Sequence, residues 1–308
     1  MRMAPRPRGP RISREASFTL IIIISTKMTS EAVAEKVWNG LIHVRIFYES
    51  LEYLLDAKRI LYFPVYYPRI IDYFHAASGS GSGNLRSNPV WLEYEDVPIK
   101  WNLPIGLLYD LLYLPSKSNK SEVSTWNLQL RVASNETPYP SQHIIPFPSN
   151  GDCVGYEKML NQVFINSLKQ ACYVANGNAR SVMNLSEDDT YALWRAMAKH
   201  DMGVFSSVRN KVNLPLRGAR QRVPVKLYVA GSASLLQAPV WSQDENAMET
   251  TLVRAVSQHI SGISPGNLPH LYIHGINVDV LHDEPILEVW DRFRFLDNFL
   301  YIVIVMQE

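Results

Sequence analysis

Ile42, Val44, Ile46 and Tyr48 alternate with polar or exposed partners, the period of a strand buried on one face. Residues 49–63 carry little pattern. Tyr66 to Ala77 then reads as a helix with Ile70, Tyr73, Phe74 and Ala77 on one side, stopped by the Ser-Gly run at 78–83. The block from Trp91 to Leu112 predicts a hairpin feeding a short helix. Trp91 and Tyr94 lie on the outgoing strand, Asp96-Val97-Pro98 makes the turn, and Ile99 and Trp101 flank Lys100 on the return. Pro104 opens the helix Ile105 to Leu112, because a proline fits a first helical turn. A strand with Trp126, Leu128, Leu130 and Val132 on one face closes this part of the chain.

From about Arg222 onward the same order of elements returns in a different sequence. Val223, Val225, Leu227 and Val229 alternate, and Leu235 to Val240 forms the second strand of a hairpin. Thr250 to Ile260 is expected as a helix with Leu252, Val253, Val256 and Ile260 inward. Leu271 to Ile276 is expected as a strand, Ile286 to Phe293 as a short helix, and Leu300 to Val305 as a strand apolar on both faces and therefore central. Strand, strand, helix, strands, short helix, strand is the order of a β-grasp, ubiquitin-like domain. Between the two copies lies a helical region, about Asp152 to Met202. Ser186 with Asp189 resembles a capping box before Tyr191, Trp194, Met197 and Ala198, and Gly203 is expected to end that helix.

The fold class is thus α+β, two ubiquitin-like domains flanking a helix-rich domain. The expected division is 1–36 a disordered extension and lead-in, 37–134 the first ubiquitin-like domain, 135–151 a linker through Pro138-Tyr139-Pro140 and Pro146-Phe147-Pro148. It continues with 152–210 the helix-rich domain, 211–221 a second linker and 222–308 the second ubiquitin-like domain. The 308 residues allow two or three compact domains.

Charge alters this picture only at the start. Six cations against Glu15 give residues 1–27 a net +5, so the rest carries −4 within a chain of net +1. A mildly acidic body argues against a general nucleic-acid binder. Arginines ahead of Phe18 to Ile24 imitate a targeting signal, but the apolar run is short and lacks a small-residue cleavage site. These residues read as an upstream extension, with the true start near Met28. Two cysteines make no disulfide framework, which points to a reducing compartment, and no apolar run is long enough to span a bilayer.

The chemistry is sparse. On the helix from about Tyr156 to Val174, the residues Tyr156, Met159, Leu160, Val163, Phe164, Ala171 and Val174 form one stripe. At ~100° per residue Lys169 lies opposite the centre of that stripe, pointing to solvent, with Lys158 on the same face. Pattern alone does not choose between these lysines, and exposed helix lysines are mostly solubility residues. Cys172 groups with Ile165 and Leu168 on a smaller apolar strip and reads as a packed thiol rather than a nucleophile; Cys153 reads as a linker residue. His270, His274 and His282 read as structural, not as a metal set. Arg209, Lys211, Arg217, Arg220, Arg222 and Lys226 read as a solvated linker, with contact to anionic lipid as the functional alternative. No catalytic residue, cofactor or metal site is read.

Several stretches in order resemble the autophagy protein 5 family: the Trp91 to Leu112 block, FINSLKQA from Phe164 to Ala171, and Val182 to Ser186 with Leu193-Trp194. LYIHGI from Leu271 to Ile276 and Asp297-Asn298-Phe299-Leu300 complete the set, so the resemblance extends over roughly residues 37 to 308. It departs at Glu49 to Phe63, at the 78–83 loop and at Gly231 to Asn246. The resemblance implies that Lys169 is the isopeptide acceptor of the ubiquitin-like autophagy protein 12, delivered by the conjugating enzymes of the autophagy system. It further implies that the coiled-coil autophagy protein 16 inserts a helix into a groove lined by all three regions. The assembled complex would act like a ligase for transfer of autophagy protein 8 to phosphatidylethanolamine, while this chain catalyses nothing. A cytoplasmic protein recruited peripherally to the preautophagosomal structure membrane follows, with no nucleic-acid partner. Two further readings stand beside it: a cytosolic adaptor binding partners only non-covalently and, last, an enzyme using Cys172.

Overall fold

The computed structural model describes residues 30–78, 85–115, 125–146, 153–212, 220–232, 235–264 and 266–306. The expected disorder of residues 1–27, the Ser-Gly loop and Arg217 lie outside these, as does the Cys153 side chain.

The lead-in, expected without order up to residue 36, is helical from its described start: α1 spans Ser30–Asn39. Val33 and Trp38 are buried, and the Trp38 ring lies 5.2 Å from Phe205 and 5.3 Å from His200, so tertiary packing holds a helix of low apolar content. Next, β1 (Leu41–Tyr48) pairs antiparallel with β2 (Leu51–Lys58), Val44 opposite Leu55. Ile42, Val44 and Ile46 point inward as expected. The stretch with little pattern contains β2, whose inward row is Leu51, Tyr53, Leu55 and Ala57; the outward, 63% exposed Leu54 hides that alternation in the sequence.

Helix α2 (Tyr67–Ser78) buries Tyr67, Ile70, Ile71 and Phe74 rather than the expected row through Tyr73 and Ala77. Tyr73 is left at the rim, its ring 4.9 Å from that of Tyr53. β3 (Val90–Tyr94) and the short β4 (Val97–Pro98) form the hairpin. Its turn is Glu95-Asp96, one position earlier than expected, with both residues at positive φ, the geometry of a two-residue hairpin loop. α3 (Ile105–Leu112) begins behind Pro104, and β5 (Trp126–Val132) runs parallel to β1. The sheet order is β2-β1-β5-β3-β4. Residues 135–146, the described part of the expected 135–151 linker, strap the domain: the Trp101 Nε1–H donates to the Ile145 carbonyl at 2.6 Å, and Tyr139 meets Trp91 edge-on.

The helical region holds α4 (Cys153–Asn176), α5 (Arg180–Met183), α6 (Glu187–Ala198) and α7 (Met202–Arg209). Ser186 caps α6, its hydroxyl accepting from Asp189 N–H. That helix ends at Lys199 and His200, the latter at positive φ; Gly203, expected as the terminator, sits inside α7.

In the last region β6 (Arg222–Val229) pairs antiparallel with β7 (Leu235–Trp241) and parallel with the central β10 (Leu300–Val305). α8 is shorter than expected, Leu252–Ser257, because Thr251 caps it and Thr250 is bonded to Ser242. The expected single strand splits into β8 (His270–Ile273) and β9 (Ile276–Asn277), turned by His274 and Gly275 at positive φ. α9 (Ile286–Phe293) precedes β10, and the order β7-β6-β10-β8-β9 repeats the topology of the first sheet. Both halves are therefore β-grasp domains, flanking the helices.

Pairing register fixes what each face of the second sheet does. Leu300, Ile302 and Ile304 share the inner face with Val225 and Leu227. Tyr301 and Val303 share the outer face with Lys226 and Tyr228, and all four are buried. Helix α4 packs on β6, and the Arg59 and α3 part of the first domain covers β10 and β8. The outer face of the second domain is thus the junction of all three regions.

Candidate functional site

The site is α4 and the junction that holds it. Leu160, Phe164, Ile165, Leu168, Ala171 and Cys172 are its buried side chains, with Met159 and Val163 only partly covered. The buried arc is therefore rotated away from the expected stripe, toward the strip that carries Ile165 and Cys172. This matters for the lysines. Lys158 is exposed, whereas Lys169, expected to face fully outward, is partly buried at the edge of the rotated arc. Among the described residues neither ammonium has a hydrogen bond or an ion pair. Gln162, Asn166 and Gln170 make the open flank polar, and Tyr173, 61% exposed, is its aromatic member.

Cys172 is fully buried, its Sγ 3.0 Å from Ser181 Oγ and 3.4 Å from the Asn178 carbonyl oxygen. It is a packed thiol, as expected, with no path for an approaching thioester.

Two residues before Lys169, Ser167 joins a buried polar cluster. Its hydroxyl donates to Asp297 Oδ2 at 2.5 Å, Tyr301 OH donates to the same oxygen at 2.6 Å, and Phe299 N–H donates to Oδ1. Lys226 Nζ lies 3.3 Å from Ser167 Oγ and 4.0 Å from the centre of the Phe299 ring. Burial lowers the Lys226 pKa against the opposing pull of Asp297. Burial and then the Asp297 charge push Tyr62, Tyr228 and Tyr301 up. Ser167 belongs to the helical region, Tyr62 to the first domain and the rest to the second, so one carboxylate locks α4 into the junction. Sequence reasoning missed this cluster. Its one signal was Asp297 itself, an acid inside the apolar run from Phe293 to Val305.

The basic run, expected as a solvated linker, is so only in part: Lys211 and Arg220 are exposed, whereas two of its members are wholly or largely buried. Lys226 is buried as above, and Arg209 donates to Asn298 Oδ1, burial bringing its pKa down to about 10. Lys211 pairs with Asp189 at 2.8 Å, and Arg220 and Arg222 stack on Trp241. Alternation in β6 put Lys226 on a face that only the third dimension reveals as covered.

The first and second domains interlock at Arg59. Its guanidinium donates to Asp110 Oδ2 at 2.5 Å and to the Gly106 carbonyl, and burial raises the Asp110 carboxyl against the pull of Arg59. A Cβ on Gly275, at φ +77°, would lie 3.0 Å from Asp110 Oδ1 and 3.1 Å from the guanidinium nitrogens. Next to it the His274 Nε2–H donates to the Phe293 carbonyl at 2.7 Å; burial brings its pKa down to about 4. His270 Nδ1 lies 2.6 Å from Asp279 Oδ2, and His282 Nε2 lies 3.7 Å from Asp279 Oδ1. His270 and His282 thus flank one carboxylate while His274 serves a different contact, and among the described residues no cluster of three metal-binding side chains forms. No helix of the described residues is long and apolar enough to cross a membrane.

Two ubiquitin-like domains clasping a helical bundle define a class of multidomain β-grasp protein. Family models described as "Autophagy protein ATG5, UblA domain", "alpha-helical bundle region" and "UblB domain" match residues 37–132, 157–215 and 222–304. Autophagy protein 5 of Debaryomyces hansenii is 39% identical over 284 residues, 89% of this chain and 94% of the relative. That of Candida albicans is 38% identical over 283 residues, 89% and 96%. The crystal structure of Kluyveromyces marxianus Atg5 superposes with a TM-score of 0.70 at 25% identity, covering 89% of this chain and 99% of that one. The chain belongs to the autophagy protein 5 family.

Proposed function

We propose that this chain is the non-catalytic acceptor of the ubiquitin-like autophagy protein 12, joined through an isopeptide bond at Lys169. The observation that carries the reading is a lysine without an ion pair, among the described residues, on the open flank of a helix whose other side is clamped by Ser167, Asp297 and the bundle core. Family membership supports it. A rigid acceptor lowers the entropic cost of aligning amine and thioester. The Nζ lone pair attacks the thioester carbonyl carbon, the carbon–sulfur bond breaks and the enzyme's cysteine leaves as thiolate. The proton shed by nitrogen goes to a base of the conjugating enzyme, since no acid or base of this chain is bonded to Lys169 among the described residues.

The product would bind a helix of autophagy protein 16 where the three regions converge and act like a ligase, promoting transfer of autophagy protein 8 to phosphatidylethanolamine. On this reading the complex works in the cytoplasm and, peripherally, at the preautophagosomal structure membrane. The second reading is an adaptor that binds these partners without the covalent bond; the greater exposure of Lys158 favours neither. A denaturing gel after co-expression with the conjugation partners separates them. The parent chain is expected to show a band heavier by one modifier, absent from Lys169→Arg. No heavier band in the parent, with the partners active on another acceptor, leaves the adaptor.

A further inference from the structure

Where α7 ends against the loop between α9 and β10, two guanidiniums sit around one tryptophan with no carboxylate at hydrogen-bond distance. Arg209 donates to Asn298 Oδ1 at 3.3 Å. The backbone carbonyl of Asn298, a residue at φ +69°, accepts from the Trp290 Nε1–H at 2.8 Å. The guanidinium of Arg294 lies over that same indole, 4.4 Å from its centre. It reaches Asp291 only at 3.6 Å, too far for a hydrogen bond, and its Nη1 is buried without a partner among the described residues. Burial and then the Arg294 charge bring the Arg209 pKa down to about 10. With Lys226, the corner holds the cations Arg209, Arg294 and Lys226 against the carboxylates Asp291 and Asp297. The Asp297 oxygens are already bonded to Ser167, Tyr301 and the Phe299 N–H. One positive charge therefore stands uncompensated in a half-buried place, where an unpaired charge is costly.

We propose that Arg209 and Arg294 form a phosphate-binding site between the helical bundle and the second ubiquitin-like domain. Guanidinium forks match the oxygens of a phosphate, which has enough of them to serve two forks at once; a carboxylate fills only one. The Arg294 side chain is 23% exposed and is held by a long ion pair and an aromatic face, so turning Nη1 outward breaks no hydrogen bond among the described residues. Arg209, partly open to solvent, is already aimed by Asn298. A phosphate held by both would bridge α7 to the loop that carries Asp297. Its source is a soluble phosphate compound or a lipid headgroup, and the site reads the chemistry they share.

The test is calorimetric titration of the full chain with sodium phosphate at constant ionic strength, against a sodium chloride control. The parent is expected to give a saturable isotherm with one phosphate per chain. Arg209→Gln and Arg294→Gln should each weaken it about tenfold or more. Arg294→Lys, which keeps the charge and loses the fork, guards against misfolding and should still bind more weakly than the parent. Lys211→Gln, in the same basic run but paired with Asp189, should bind like the parent. Phosphate should also raise the unfolding midpoint of the parent and not that of the double glutamine variant. Heats no different from chloride, or parent-like binding by the double variant, overturn the proposal. Equal weakening by Lys211→Gln marks a diffuse positive field rather than a site and overturns it as well. Flotation with phosphatidylinositol phosphate vesicles that Arg294→Gln abolishes assigns the phosphate to a lipid. Binding of inositol hexakisphosphate without such flotation assigns it to a soluble compound; both outcomes support the site.

Discussion

The two ubiquitin-like domains have one topology and opposite uses for it. On the outer face of β1 and β2 in the first domain, Leu41 and Leu54 are exposed and His43 pairs with Asp56 in water. On the outer face of β6 and β10 in the second, Lys226, Tyr228, Tyr301 and Val303 are buried under α4 and the first domain. Strand order sets the shape in both. What differs is whether the outward row of side chains is written for water or for a neighbour. The second domain is a platform, and the acceptor helix is what it carries.

Removing the carboxylate under that platform should have the largest effect. Asp297→Ala strands the Ser167 and Tyr301 hydroxyls and leaves Lys226 buried without its countercharge, a loss on the order of 3–5 kcal/mol by denaturant unfolding. Asp56→Ala, at the corresponding open face, should change stability by less than about 0.5 kcal/mol. Similar losses at the two sites would erase the contrast.

Gly275→Ala should cost about 1–3 kcal/mol, since φ +77° disfavours any side chain and the Cβ meets Arg59 and Asp110. The loss should appear as weakened docking of the two domains, read as faster amide exchange around α3 and β8.

Acid sharpens the comparison in a different way. The folded state holds His274 neutral down to about pH 4, against an ordinary value of 6.5. Between those values the unfolded chain binds a proton that the folded chain does not, so stability falls as pH drops through that window and levels off below it. His274→Gln should remove this part of the slope in a pH series of unfolding midpoints; an unchanged slope would contradict the burial of that imidazole. Trp101→Phe should have the smallest effect, about 1 kcal/mol, by deleting the bond that fastens the strap at Ile145. Limited proteolysis of residues 135–146 is the sensitive readout.

Much of this was legible from periodicity. β1, β5 and β10 follow their apolar rows, and β10 proved central because it is apolar on both faces. β2 was not legible, because Leu54 is apolar yet faces water and breaks the alternation of Leu51, Tyr53, Leu55 and Ala57. Nor was the α2 face, where Tyr73 found a partner in Tyr53 at the rim. The α4 face was misread, since which apolar strip is buried depends on α5 and α6 packing against it, Ser181 of α5 lying beside Cys172. Lys226 and Asp297 are the sharpest failure. A charge in a strand looks solvated until a second region is found covering it.

The most direct test of the account is to isolate the conjugated chain, digest it and map the branched peptide by mass spectrometry. The account predicts the modifier's C-terminal glycine on the ε-amine of Lys169, in the α4 peptide that also contains Cys172 and Tyr173. A branch on Lys158, or an unbranched α4 with the modifier elsewhere, would contradict it.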